Sequence, residues 1–254
     1  MFSKIIVSTD TPIRTDRINH MVDQLRAAII SNTIEDQTFT EDEKRFINFR
    51  PPPPYFTTPP KILYAHPSMD SSKFEIFGFN ADGKEIIAKI AKVLEGKTLD
   101  VAGNKIKVLG HKLVEEVPFL PAIAPEVVHY YTATPMILHD KQKDFNEWFA
   151  ISKTYRHTDI DRYNKEMKRS IANLLRANIS YQLKYRVKDK EYPFVDMIDI
   201  EIEDFFFRMD KYNKDSRPAP MLVMKFSSSW RLPTFIGHHT GKGFGMLLIN
   251  KKAA

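Results

Sequence analysis

The chain has 254 residues, 43% of them apolar, and a formal net charge of +6. That length allows one large domain or two of ordinary size. It contains no cysteine, which excludes a disulfide framework and a thiolate metal site and fits a reducing compartment. The opening MFSKIIVSTD lacks a signal-peptide core, and no apolar run approaches the ~18 residues of a membrane span, so the expectation is a soluble, cytoplasmic protein without a membrane partner.

In chain order, Lys4 to Ser8 predicts a strand. Asp16 to Ser31 predicts a helix, with Ile18, Met21, Val22, Leu25 and Ile29 on its apolar face and Arg17, His20, Gln24 and Ala27 opposite. A long polar connection follows, ending in Pro51-Pro52-Pro53-Pro54 and Pro59-Pro60. Proline fixes φ and lacks an N–H, so this reads as extended chain, either a stiff intradomain loop or an SH3-type ligand. Ile62 to Ala65 and Phe74 to Phe79 predict two strands. Asp82 and Glu85 suggest a capping box for a helix buried through Ile86, Ile87, Ile90, Val93 and Leu94 and ended by Gly96. Lys105 to Val114 predicts another strand. The resulting β-α-β-β-α-β order is the ferredoxin-like pattern.

The second half reads the same way. Val128 to Leu138 predicts a strand, and Ile160 to Ala177 a helix with Tyr163, Met167, Ile171 and Leu174 inward. Phe194 to Arg208 predicts a long strand, Met221 to Ser227 another, Ser228 to Phe235 a short helix or turn, and Met246 to Ile249 a last strand. The fold class is therefore α+β, with two tandem ferredoxin-like domains over 1–120 and 126–254, joined by a proline-punctuated linker near Pro118 to Pro125.

Two features point to function. The first is where the charge lies. Residues 1–127 hold 16 Lys/Arg against 17 Asp/Glu, whereas 128–254 hold 22 against 15, and Lys153 to Lys190 alone holds 11 against 4. A localised basic segment fits a nucleic-acid backbone or an acidic partner protein. Lys165, Arg169, Asn173 and Arg176 fall on one face of the helix expected there. The second feature is Gly237-His238-His239-Thr240-Gly241-Lys242-Gly243-Phe244-Gly245, four glycines in nine residues between an apolar stretch and a strand. Such a loop can present amide N–H groups and cations to phosphate oxygens, and Phe244 is placed to anchor it in the core. The Asp199/Glu201/Glu203 run is explained by strand alternation rather than by metal binding, and no metal-ligand spacing emerges.

Two ferredoxin-like halves with a glycine-rich loop before the final strand resemble the RAMP superfamily of CRISPR-associated proteins. The run from Trp230-Arg231-Leu232 through Ile236-Gly237 to Gly243-Phe244-Gly245 is similar to the C-terminal signature of its CRISPR repeat-cleaving endoribonucleases. Thr134-Pro135-Met136 resembles a Thr/Ser-Pro-Ile element of that family. The resemblance implies binding of CRISPR repeat RNA and cofactor-free, metal-independent cleavage of precursor CRISPR RNA. In that chemistry the upstream 2′-OH attacks the adjacent phosphate, leaving a 2′,3′-cyclic phosphate and a 5′-OH. It also implies a catalytic histidine on or just after the first helix. His20 meets that description, while Asn32 to Pro60 holds no histidine. The RNA-binding set expected is Lys165, Arg169, Arg176, Gly237, His238, His239, Lys242, Gly243 and Gly245. His238 and His239 suit phosphate contact or proton transfer. A non-catalytic RAMP subunit binding guide RNA in an effector complex is the alternative reading. The oligomeric state is left open, a homodimer included.

Overall fold

The computed structural model describes residues 2–13, 18–48, 64–67, 72–116, 127–138, 142–182, 198–211, 219–232, 234–238 and 244–250. They belong to two compact units, the first built mainly on Met1–Pro118 and the second mainly on Phe119–Lys184, Asp189–Thr240 and Phe244–Ala254. The proline runs at 51–54 and 59–60 and the linker at 118–125 lie outside the described residues.

In the first unit the elements run β1 (Phe2–Thr9), α1 (Ile18–Thr33), α2 (Glu41–Asn48), β2 (Tyr64–Pro67), β3 (Lys73–Phe79), α3 (Asn80–Leu94), β4 (Thr98–Val101) and β5 (Asn104–Glu116). The sheet order is β2-β3-β1-β5-β4, antiparallel throughout. Without β4 this is the ferredoxin-like order. Strand β1 sits in the middle, with Ile5 facing Ile76 on one side and Leu113 on the other. One stripe of α1 (Val22, Leu25, Ile29) and one of α3 (Ile86, Ile87, Ile90, Leu94) are buried; most of both stripes share one core with Ile5, Val7, Phe74 and Ile76.

The first unit departs from the sequence expectation at two points. The polar connection after α1 contains a helix: Thr40 Oγ1 accepts the Glu43 N–H at 3.2 Å, and Glu43 Oε2 accepts the Thr40 N–H at 2.8 Å. That is a capping box, and it lets Phe39 and Ile47 reach the core. Helix α3 begins at Asn80 rather than at an Asp82/Glu85 box.

The second unit runs β6 (Val128–Thr132), α4 (Gln142–Tyr155), α5 (Ile160–Gln182), β7 (Ile200–Asp210), β8 (Ala219–Ser228) and β9 (Leu247–Ile249). Its sheet order, β7-β8-β6-β9, is again ferredoxin-like. Met167, Ile171, Leu175 and Ile179 of α5 are buried. Tyr163 and Trp148 meet Phe205 and Phe207 of β7, with ring centres 6.4 and 5.2 Å apart. Helix α4 was not expected. It is held through Trp148, whose Nε1–H donates to Ser170 Oγ at 3.1 Å while that hydroxyl donates to Glu147 Oε1 at 2.7 Å.

Strand β6 stops at Thr132, six residues before the expected end. Pro135 has no N–H to donate, and the chain rejoins the sheet only at Met136, which exchanges two backbone hydrogen bonds with Leu222 at 2.7 and 2.8 Å. The segment after β8, expected as a short helix or turn, forms no helix over its described residues: it bends at Ser229, Ser228 Oγ accepts the Trp230 N–H at 3.1 Å and the Tyr130 hydroxyl accepts the Leu232 N–H at 2.8 Å. Among the described residues no helix is long and apolar enough to cross a membrane.

Candidate nucleic-acid interface

The basic face is built on α5. Asp159 caps the helix, accepting the Arg162 N–H at 2.9 Å. With the Met167–Ile179 stripe turned to the sheet, Arg162, Lys165, Arg169 and Asn173 are exposed. Their neighbours sort these cations. Arg162 lies over the Tyr155 ring, 4.6 Å from its centre. Lys168 donates to the Glu203 carbonyl at 2.8 Å. Arg176 donates through Nε to the Ile198 carbonyl at 2.9 Å and through a terminal nitrogen to Asn173 Oδ1 at 3.1 Å, so it fastens the approach to β7. Lys165 and Arg169 have no hydrogen-bond or ion-pair partner among the described residues. Arg162 was missed by the sequence reading, although it lies one turn before Lys165 on the same face.

The described part of the glycine-rich segment is its base. Phe235 pairs with Met246, and the Ile236 N–H donates to the Gly245 carbonyl at 3.0 Å, so the two ends close like a hairpin. The Thr134-Pro135-Met136 element lies beneath it. Thr134 Oγ1 accepts the Met246 N–H at 2.9 Å. The Pro135 carbonyl accepts the Gly245 N–H at 2.9 Å, and the Ile137 carbonyl accepts the His238 N–H at 2.8 Å. Two sequence elements recognised separately are thus one hydrogen-bonded bracket.

Gly237 and Gly245 have φ of 101° and 72°, in the left-handed region. A Cβ on Gly237 would lie 2.6 Å from the Ile137 carbonyl oxygen, and one on Gly245 would run into that of Ile236. Phe244 is buried with Ile137 and Met221. The amides of His238 and Gly245 are therefore spent inside the protein, and both glycines are buried. His238 is half-buried at this base. His239, Lys242 and Gly243 lie outside the described residues.

Helix and bracket are tied together. Asn178 near the end of α5 is buried, and its Nδ2 donates to the Leu138 carbonyl at 2.9 Å and to the Leu174 carbonyl at 2.9 Å. Leu138 follows the residue that holds His238. Asn178 was not singled out from the sequence; a polar residue on an otherwise apolar helix stripe was its only signal.

Tyr130 supports the other flank, stacked on Phe226 with ring centres 5.3 Å apart. Burial pushes its phenol up to about 12, against the opposing effects of the Leu232 N–H and of Arg231. His20 is the third residue of α1, in the first unit. Of the other histidines, His129 pairs through Nδ1 with Glu203 Oε1 at 2.5 Å and His111 with Glu95 Oε2 at 3.4 Å, while His157 is exposed after α4. Asp199, Glu201 and Glu203 are all exposed.

Comparison with solved structures places this architecture. A structure described as Cas6b matches with a TM-score of 0.65 at 12% identity, over 98% of this chain and 100% of that one. Csf5, described as the CRISPR-Cas type IV Cas6 crRNA endonuclease, matches with a TM-score of 0.53 at 13% identity, over 98% and 99%. A Cas6-related protein from Pyrococcus furiosus gives 0.52 at 15%, over 99% and 100%. The chain thus has the tandem ferredoxin-like, RAMP-type fold of the Cas6 proteins. No protein-family model matches the sequence, and no curated protein matches it either.

Proposed function

We propose that this chain binds CRISPR repeat RNA and cleaves precursor CRISPR RNA within each repeat, without a metal ion. The observation that supports it most is a fold match spanning nearly the whole chain to proteins described as CRISPR RNA-processing endonucleases. In this reading Lys165 and Arg169 neutralise phosphates, with Arg176 holding the helix to β7 and adding charge behind them. His238, His239 and Lys242 contact the backbone of the RNA, and Gly237, Gly243 and Gly245 give the loop its path. His20 transfers the proton to or from the reacting oxygens, a role suited to an imidazole with a reference pKa of ~6.5. The 2′-OH attacks the adjacent phosphorus, the P–O5′ bond breaks, and the products are a 2′,3′-cyclic phosphate and a 5′-OH.

The second reading is a non-catalytic subunit that binds guide RNA within an effector complex. It is favoured by the absence of any histidine from Asn32 to Pro60. Incubation with a single repeat RNA separates the two. The proposal expects one cut, a cyclic phosphate on the upstream fragment, and no cut when the nucleotide before the scissile phosphate is 2′-deoxy. Tight binding with an intact RNA identifies the second reading.

A further inference from the structure

We infer that the outer edge of β7 is the docking surface for a second copy of this chain, paired antiparallel with Phe206 on the two-fold axis. Among the described residues β7 has one neighbour in its sheet, β8. The first part of its other edge is covered, since Lys168 and Arg176 cap the Glu203 and Ile198 carbonyls at 2.8 and 2.9 Å. From Asp204 onward no side chain of another described element caps it. The Phe205 N–H is held by the preceding Asp204 carboxylate at 2.9 Å and the Lys211 N–H by that of Asp210 at 2.8 Å, so the odd-numbered amides point away from β8. Phe206 and Met209 are 57% and 62% exposed on this stretch. An open edge carrying large apolar side chains is a template for another strand.

The sequence of the edge selects its occupant. With Phe206 opposite Phe206 of the partner subunit, Asp204 faces the partner's Arg208 and Arg208 faces the partner's Asp204. An aromatic pair and two opposite-charge pairs then share one face. Phe205 exchanges outward backbone hydrogen bonds with the partner's Phe207, and Phe207 with the partner's Phe205, once the Asp204 carboxylate turns from the Phe205 N–H to the partner's Arg208. Moving the axis to Phe207 would set Asp204 against the partner's Asp210, and moving it to Phe205 would require Glu203, whose carbonyl Lys168 already holds. One register is therefore favoured, and it is self-complementary. Arg208 is 61% exposed and now leans on Asp210 at 3.5 Å, so it is free to turn outward. Residues 201–211 carry Glu201, Glu203, Asp204 and Asp210 against Arg208 and Lys211, a balance that disfavours a polyanion. Because the axis runs through the edge and across the sheet, the two copies would present both α5 helices on one side of a continuous eight-stranded sheet.

The test uses the full chain, which has no cysteine. Sedimentation of the wild type is expected to show a concentration-dependent dimer. Asp204→Arg should weaken it roughly tenfold by making both cross-strand charge pairs repulsive, and Asp204→Arg with Arg208→Asp should restore it. Opposed residues at a non-hydrogen-bonded position lie about 4.5 Å apart at Cα, within disulfide reach. Phe206→Cys should therefore form a covalent dimer on mild oxidation. Met209→Cys, as exposed but far from its own counterpart in this register, should not. All these side chains are exposed, so thermal unfolding followed by circular dichroism should match the parent. A monomer at every concentration, a charge swap that fails to rescue, or equal cross-linking at the two cysteines would overturn the assignment.

Discussion

Gly245 shows how a residue expected for its ligand contacts can be fixed first by its neighbours. Its φ of 72° and the Ile236 carbonyl beside it leave no room for a side chain. Gly245→Ala should lower stability by about 3 kcal/mol, combining the left-handed penalty with a backbone shift; urea unfolding measures it, and a loss under ~0.5 kcal/mol would contradict the bracket. Tyr130 makes a second prediction. Its phenol is raised from the ordinary 10.0 to about 12, so the neutral form is the one the fold favours. The contribution is complete below about pH 10, the unfolded value, and falls away as pH rises through the folded value, by about 2–3 kcal/mol in all. Tyr130→Phe should flatten that alkaline decline. It should also cost about 1–3 kcal/mol near neutrality, because the buried Leu232 N–H loses its acceptor. At this scale the sequence displayed the glycines and Phe244, but it could not show that Thr134 and Pro135 hold the Met246 and Gly245 amides, because that bracket spans about a hundred residues of chain.

Among the elements, long segments with a strong period were readable and short ones fixed by local side chains were not. The stripes of α1, α3 and α5 and the central strands follow from apolar spacing alone. Helix α2 is only eight residues, and its signal was the Thr40-x-x-Glu43 box rather than a stripe. The β4–β5 hairpin turns on Ala102 and Gly103, at φ of 55° and 81°, with Asp100 Oδ1 accepting the Gly103 N–H at 2.9 Å. Asn-Gly would have announced such a turn; Ala-Gly does not. Helix α4 buries Trp148 while Phe149 is 63% exposed, so its apolar pattern is blurred. The α5 face yields the prediction for this scale. Lys165→Ala and Arg169→Ala together should weaken repeat-RNA binding about equally across related sequences and reduce the salt slope by about 2, one for each phosphate no longer neutralised. Arg176→Ala should act differently, lowering stability through the freed Ile198 carbonyl as well as affinity. Equal salt slopes for the double variant and the wild type would remove α5 from the interface.

For the whole molecule, two ferredoxin-like halves were visible because each half repeats the same alternation of periods, although among the described residues the second half has no helix between β8 and β9. Both sheets have the ferredoxin-like order, with β4 added at one edge. The fold likeness reaches a TM-score of 0.65 at only 12% identity, so it rests on the arrangement of elements, not on shared side chains. That is why the proposed function leans on the glycine-rich signature and the basic helix, and why the proposed acid–base role falls to a single residue, His20. The most direct measurement is single-turnover cleavage of one CRISPR repeat RNA in EDTA by the wild type and His20→Ala. One cut by the wild type is expected, with about 10²–10⁴-fold slower cleavage by the variant at nearly unchanged RNA affinity. An intact RNA with wild-type protein, or equal rates for the two proteins, would contradict it.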